Sequence, residues 1–209
     1  MTNNEKYTRI DSYFASLFPD AHCELNYSKD YELVIAVMLS AQTTDKSVNK
    51  VTSILFSKYK SLDELHKATI FDIENCIESL GLYKNKAKNI IGIVDMLINV
   101  FNYQVPSNKD ELMKLPGVGN KSAGVIRAEV FKIPDLPVDT HVSRVSKRLG
   151  LADSNDDPLT IEHKLKKIIP QDKWISSHHR FIFFGRYFCT AQNPKCVHCA
   201  LKDICNNQK

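Results

Sequence analysis

The sequence predicts an all-α protein, and three observations carry that prediction. Apolar residues recur at helical rather than alternating spacing along most of the chain. Proline and glycine fall between the periodic segments, at Pro106, Pro116, Gly117, Gly119, Pro134, Pro137, Gly150 and Pro158. Strand signals are weak throughout. The expected architecture is about ten helices packed on apolar cores.

Taken in order, Tyr31 to Ser40 reads as a helix that is apolar nearly all round, and therefore central to a core. Asp63 to Leu80 holds one or two short helices, with Ile73, Ile77 and Leu80 spaced by four and three. Lys84 to Phe101 puts Ile90, Ile91, Val94, Leu97, Ile98 and Phe101 on one broad stripe, with Lys84, Lys86, Lys88 and Asp95 off it. Asp139 to Leu149 carries Val142, Val145 and Leu149 on one face and Arg144, Lys147 and Arg148 on others. The stretch Ile133 to Pro137 reads as a crossing point between two helical lobes. Periodicity does not decide which lobe the N-terminal helix joins.

With 209 residues, 43% hydrophobic and 25% charged, the composition is that of a soluble globular protein. The longest apolar run, Leu33 to Leu39, is too short to cross a bilayer, which excludes a helical membrane protein. Met1 to Asp11 is polar and shows no secretory signal, so the cytoplasm is the expected compartment. A net charge of +4 permits a polyanion partner without demanding one. In a reducing compartment six cysteines point to metal binding or chemistry rather than disulfides, and four of them crowd into the last 21 residues.

Ser107 to Asp110 has the spacing of a helix-capping box, with aspartate in place of glutamate. A short helix through Leu112 and Leu115 should then stop at Pro116. Leu115-Pro-Gly-Val-Gly119 follows, and a second helix begins near Asn120 with Ala123, Ile126 and Val130 facing inward. Gly117 and Gly119 let the backbone reach positive φ and approach a ligand closely. The unpaired amides at the second helix start would suit a DNA phosphate. The pattern resembles the helix–hairpin–helix of DNA-repair proteins, over about residues 108–131; the plainer reading is a tight turn with no ligand.

Lys121 lies in the first turn of that second helix. A lysine amine attacks only when deprotonated; the positive end of a helix dipole disfavours the ammonium, and partial burial would add to this. Nucleophile and phosphate-contacting lysine both remain open from position alone. Eighteen residues on, Val138-Asp-Thr-His141 opens another helix, with Asp139 or Thr140 as its N-cap. The sharper expectation is that Asp139 faces Lys121 across a groove between the lobes. There its carboxylate would stabilise the positive charge that builds on a deoxyribose ring as an N-glycosidic bond breaks, and help move a proton.

The chain closes on Cys189-x6-Cys196-x2-Cys199-x5-Cys205. Structural zinc sites usually bring two close pairs of ligands, whereas four thiolates on one compact loop suit a [4Fe–4S] cluster. Zinc stays open on chemistry alone, with His198 as a competing ligand. Cys23 and Cys76 lie far off and read as ordinary buried thiols.

Together these stretches resemble the endonuclease III family of DNA glycosylases over nearly the whole length. The matching segments are Leu39 to Asp45, Leu80 to Tyr83, the hairpin, Val138 to His141, His179 to Tyr187, and the cysteine loop with its 6–2–5 spacing. The resemblance implies a six-helix barrel lobe (23–133) joined to a second helical lobe made of both chain ends (1–22 and 134–209), with an iron–sulfur loop at 189–205. It implies a monomeric base-excision-repair enzyme acting in the nucleoid on double-stranded DNA that carries damaged bases or abasic sites. Lys121 would attack C1′ of the lesion nucleotide, form a Schiff base and nick the strand by β-elimination, with Asp139 in support. Substrates would be oxidised, ring-saturated or ring-fragmented pyrimidines. Gln42 and Leu82 fall at the family's gap-filling and wedging positions. For Leu82 a second reading stands beside this: Gly81 as a left-handed helix terminator, with Leu82 packing back onto the helix.

Asn120 departs from the basic residue more frequent in the family, and Gly124 resembles the adenine-glycosylase branch. That branch lacks a lysine at the Lys121 position. The alternatives to a bifunctional enzyme are therefore a monofunctional adenine or mismatch glycosylase and a non-catalytic iron–sulfur DNA-binding protein.

Overall fold

The computed structural model describes residues 1–207 and contains eleven α-helices and no strand among them. The chain forms two compact units: residues 24–131, and residues 1–23 together with the described chain from Lys132 onward. α1 (Asn3–Leu17) belongs to the second of these.

The first unit holds α2 (Asp30–Leu39), α3 (Asp45–Lys58), α4 (Leu62–Lys67), α5 (Ile70–Ile77), α6 (Tyr83–Asn99), α7 (Lys109–Leu112) and α8 (Asn120–Phe131). Every residue of α2 from Tyr31 to Leu39 is buried, because α3, α6 and α8 pack around it. That is why its sequence shows no polar face. Complete burial of Leu33, Ile35 and Leu39 stabilises the unit by about 1.5–3 kcal/mol per side chain. Local chemistry sets the helix starts: Thr44 accepts from the Ser47 amide at 3.3 Å, and Ser61 from the Glu64 amide at 3.1 Å. Thr69 and Asp72 cap each other's amides reciprocally at 3.2 Å, closing a capping box.

Three expectations need correction here. Asn108, not Ser107, caps α7, accepting from the amides of Asp110 and Glu111 at 2.8 and 3.2 Å. One residue closer, its short side chain reaches both amides. α7 ends at Leu112 rather than running to Pro116, although Leu115 stays buried. Gly81 is not left-handed; the positive φ falls on Leu82, at 59°, and Leu82 is 64% exposed rather than packed back onto the helix.

In the second unit α1 joins α9 (Thr140–Arg148), α10 (Pro158–Ile168) and α11 (Trp174–Phe183), the last running into a wider π-helical turn, Phe184–Phe188. The core is aromatic. Phe14 stacks on Phe184 with centroids 4.2 Å apart, and Phe184 on Phe188 at 5.0 Å. Polar ties fix α1 to α11: Tyr7 and Ser177 share a buried hydrogen bond of 2.8 Å, and Asp11 accepts from Arg180 and Lys173 at 2.8 and 2.9 Å. These long-range pairs settle where α1 packs. Lys166 reaches the buried carboxylates of Asp135 and Glu162 at 2.6 and 2.5 Å and lies over the Trp174 ring, so no charge in that cluster is left unpaired. Cys76 is buried, whereas Cys23 is only half-buried.

Candidate functional site

In the first unit the turn between α7 and α8 is built around Gly117. Its φ of +77° is open to glycine, and a Cβ there would lie 2.5 Å from Nδ2 of Asn89 and 2.9 Å from Cγ of Met38. The turn is therefore pressed against α6 and α2. Gly92 in α6 makes room for it: a Cβ at that point would come 2.8 Å from the Pro116 ring. Buried Val118 donates to Leu115 O at 3.1 Å and closes the turn. Gly119 is different. Its φ is not positive and nothing lies within 4 Å of where its Cβ would be, so the fold itself does not require glycine there.

Asn120 and Lys121 follow, both exposed, in the first turn of α8. The partial burial expected of Lys121 is absent. Ala123 and Ile126 are buried as expected, and Val130 partly so.

Gln42 and Leu82 lie in the same unit. Both are exposed and both are left-handed, at φ 55° and 59°. Such a conformation costs a side-chain-bearing residue roughly 1–2 kcal/mol, so surrounding contacts must impose it. On either side of Gln42 the contacts converge on Lys86, which the sequence put off the apolar stripe of α6 but which is only 5% exposed. Its Nζ donates to Leu39 O at 2.9 Å, Ala41 O at 3.1 Å and Thr43 Oγ1 at 2.6 Å. Burial pushes the Lys86 ammonium below its ordinary range, and the three oxygens are what hold the charge in place.

In the second unit Asp139 is the N-cap of α9, its carboxylate accepting from the Val142 amide at 2.8 Å while the side chain stays partly exposed. His141, two residues on, is half-buried. Burial lowers its pKa, with Asp139 opposing and Arg144 and Arg186 adding to the fall. Arg144 Nη2 lies 3.3 Å from His141 Nδ1 and 2.7 Å from Gly185 O, so the guanidinium donates to both.

All four C-terminal cysteines line one cavity, together with Arg148, Phe184 and Phe188. Burial pushes the Cys199 thiol up. Arg148 braces the first arm of the loop, its Nη1 donating to Thr190 O at 2.8 Å and meeting Cys189 Sγ at 3.2 Å. Arg9 fixes the last arm through two bonds to Asp203, at 2.6 and 2.7 Å. The sequence reading missed Arg144, Arg148 and Lys86. The i, i+4 pair on α9 was legible as a basic ridge, but nothing in its spacing said that it faces the cysteine loop.

Residues 35–171 match the family model described as HhH-GPD superfamily base excision DNA repair protein. Endonuclease III of Bacillus subtilis is 48% identical over 189 residues, covering 90% of this chain and 86% of that protein. The chain belongs to the endonuclease III family. Membership makes it a base-excision-repair enzyme, a DNA glycosylase and abasic-site lyase. The endonuclease III of Escherichia coli is 38% identical over 187 residues, covering 90% of this chain and 88% of that one. Among solved structures, a trapped endonuclease III–DNA covalent intermediate superposes with a TM-score of 0.95 at 48% identity, covering 100% of this chain and 98% of the other. A non-covalent endonuclease III–DNA complex matches equally well. A thermostable thymine-DNA glycosylase, at 21% identity and a TM-score of 0.85, shares the endonuclease III fold. No helix among the described residues is long and apolar enough to cross a membrane.

Proposed function

We propose that the endonuclease III activity of this chain uses Lys121 as its nucleophile and Asp139 as its supporting carboxylate, on double-stranded DNA carrying ring-damaged pyrimidines or abasic sites. The observation that carries this reading is the exposed amine of Lys121 one residue into α8, directly after the Gly117 turn. A relative at 48% identity solved as a covalent DNA intermediate supports a nucleophilic route.

The chemistry runs in two stages. The lysine nitrogen forms a bond to C1′ of the extruded nucleotide as the bond from C1′ to the base breaks, and the base leaves with a proton. The resulting amine opens the sugar to a Schiff base. Loss of a C2′ proton then expels the 3′ phosphate, cutting the strand. Asp139 stabilises the positive charge on the sugar and takes part in proton movement. The outward amides at the start of α8 and the unhindered backbone at Gly119 bind phosphate, while Gln42 and Leu82 occupy the stack that the base vacates.

The cysteine loop holds a [4Fe–4S] cluster in this reading. Among the described residues no three metal-ligating side chains converge as on a single ion, yet all four cysteines face one cavity. A cluster, which spreads its thiolates over separate irons, suits that donor set better than one tetrahedral zinc. When bound, the cluster fixes the loop; Arg148, Arg144 and Arg9 orient its arms, and exposed Lys195 and Lys202 meet the DNA backbone. The enzyme works as a monomer in the cytoplasm.

Borohydride reduction during reaction with a damaged duplex tests the mechanism. A covalent protein–DNA adduct that disappears in Lys121→Gln is expected. Base release by the wild-type protein without any adduct would overturn the lysine route in favour of water attack.

A further inference from the structure

Lys86 is a fully engaged cation that the catalytic scheme does not use. A lysine ammonium has three donors, and here each meets a different acceptor on one short loop: Leu39 O, Ala41 O and Thr43 Oγ1. Two of those acceptors, at 41 and 43, flank Gln42. At the other end of the same α6 turn, the Lys86 amide donates to Leu82 O at 3.0 Å. The Lys86 side chain therefore braces both flanks of Gln42 and ties that loop to the first turn of α6, which Leu82 caps.

The burial of Lys86 rules out the ordinary role of a lysine in a DNA-binding protein. At 5% exposure, with every donor occupied, its ammonium is not available to a phosphate. A structural anchor for α2 alone would need one or two carbonyls at the helix end. The third bond, to the Thr43 hydroxyl beyond Gln42, makes the loop wrap around the ammonium and turns residue 42 outward. The same face of α6 continues one and two turns on with Asn89 and Gly92, which seat the Gly117–Pro116 turn. α6 is thus the common support of the loop at 42, the tip at 82 and the hairpin.

We propose that Lys86 is a positioning residue for lesion engagement, setting the spacing of Gln42 and Leu82 so that both enter the base stack together. This rests on the reading of those two residues as DNA-inserting groups. The physical advantage is preorganisation: tips held in an otherwise unfavourable backbone state need not be ordered when DNA binds, so binding energy goes to extruding the base. Removing the ammonium frees the loop at Gln42 to relax and to move relative to the α6 turn that carries Leu82, after which the two tips insert independently and less often.

Two DNA probes separate this role from a general structural one. One is a duplex with a single abasic site; the other is a single strand carrying the same site, which has no partner strand and no stack to fill. In Lys86→Met, strand cleavage of the duplex should fall roughly tenfold, while cleavage of the single strand and binding of undamaged duplex stay within about twofold of wild type. Thr43→Val, which removes one acceptor and leaves the lysine, should shift duplex cleavage in the same direction by less. It also decides the matter if Lys86→Met fails to fold. In a Gln42→Ala/Leu82→Ala background, either change should have little further effect.

Equal losses on both probes, or full additivity with the double alanine background, would overturn the positioning role. So would wild-type duplex cleavage in Thr43→Val and Lys86→Met while the alanine variants are impaired. If Gln42→Ala and Leu82→Ala themselves cleave the duplex normally, the insertion reading fails first and the role of Lys86 falls with it.

Discussion

Nη1 of Arg148 lies 3.2 Å from the sulfur of Cys189 and at the same time donates to the carbonyl of Thr190 at 2.8 Å, so a single guanidinium holds both a thiol and the backbone that follows it. Arg148 stands on α9, the helix that Asp139 caps. By gripping the sulfur and the next carbonyl together, the guanidinium fixes the orientation of the first arm of the cysteine loop.

Arg148→Ala should therefore lower iron content and visible absorbance in the purified protein and speed bleaching by a chelator. Loss of this part-buried donor should also destabilise the fold by about 1 kcal/mol. Arg148→Lys, a point charge without the fork, should fall between the two. Wild-type iron retention in Arg148→Ala would remove it from the support of the loop.

Asp139 caps α9, and two substitutions separate that role from the chemical one proposed for it. Asparagine caps a helix as well as aspartate does, so Asp139→Asn should keep urea stability within about 0.5 kcal/mol of wild type. It loses the charge, so its turnover on damaged duplex should fall at least about a hundredfold. Asp139→Ala should lose the turnover and about 1 kcal/mol of stability as well. Undiminished turnover in Asp139→Asn would leave the residue as a helix cap.

The two hairpin glycines should respond in opposite ways. Gly117→Ala combines a left-handed backbone with contacts of 2.5 and 2.9 Å to Asn89 and Met38. It should cost about 2–4 kcal/mol by thermal or urea unfolding. Gly119→Ala meets nothing within 4 Å, so stability should move by less than about 0.5 kcal/mol. Its effect should appear in DNA affinity, measured by fluorescence anisotropy, if the phosphate proposed to meet this backbone approaches where the methyl group would stand.

His141 gives the pH dependence a definite sign. Its pKa is lowered by burial, so the unfolded chain binds the proton more readily than the folded one. The corresponding stability is present in full above 6.5 and is lost as pH falls from there through the folded value. Urea midpoints should decline over that interval, and the decline should flatten in His141→Asn. A matching slope in the variant would assign the titration elsewhere.

Periodicity found α2, α6 and α9 within one or two residues of their ends, because a helix that buries one face or all of itself must write that burial into its spacing. The Gly117 turn and the clustered cysteines were legible for the same local reason: backbone conformation and ligand density are properties of short segments. The meaning of Lys86 was not legible. A lysine among Lys84 and Lys88 on a helix looks like part of a solvated face, and its burial depends on a loop more than forty positions earlier that folds over it.

Leu82 makes the same point. Sequence rules favour glycine for a left-handed residue, and Gly81 was at hand; the tertiary arrangement put the strain on the leucine instead and left its side chain in solvent. The amino-acid sequence by itself determined the all-helical class, the bounds of α2, α6 and α9, the glycine turn of the hairpin and the family. Tertiary structure alone decided which charges are buried and which backbones are strained, because those depend on partners distant along the chain whose combined contacts outweigh local preference.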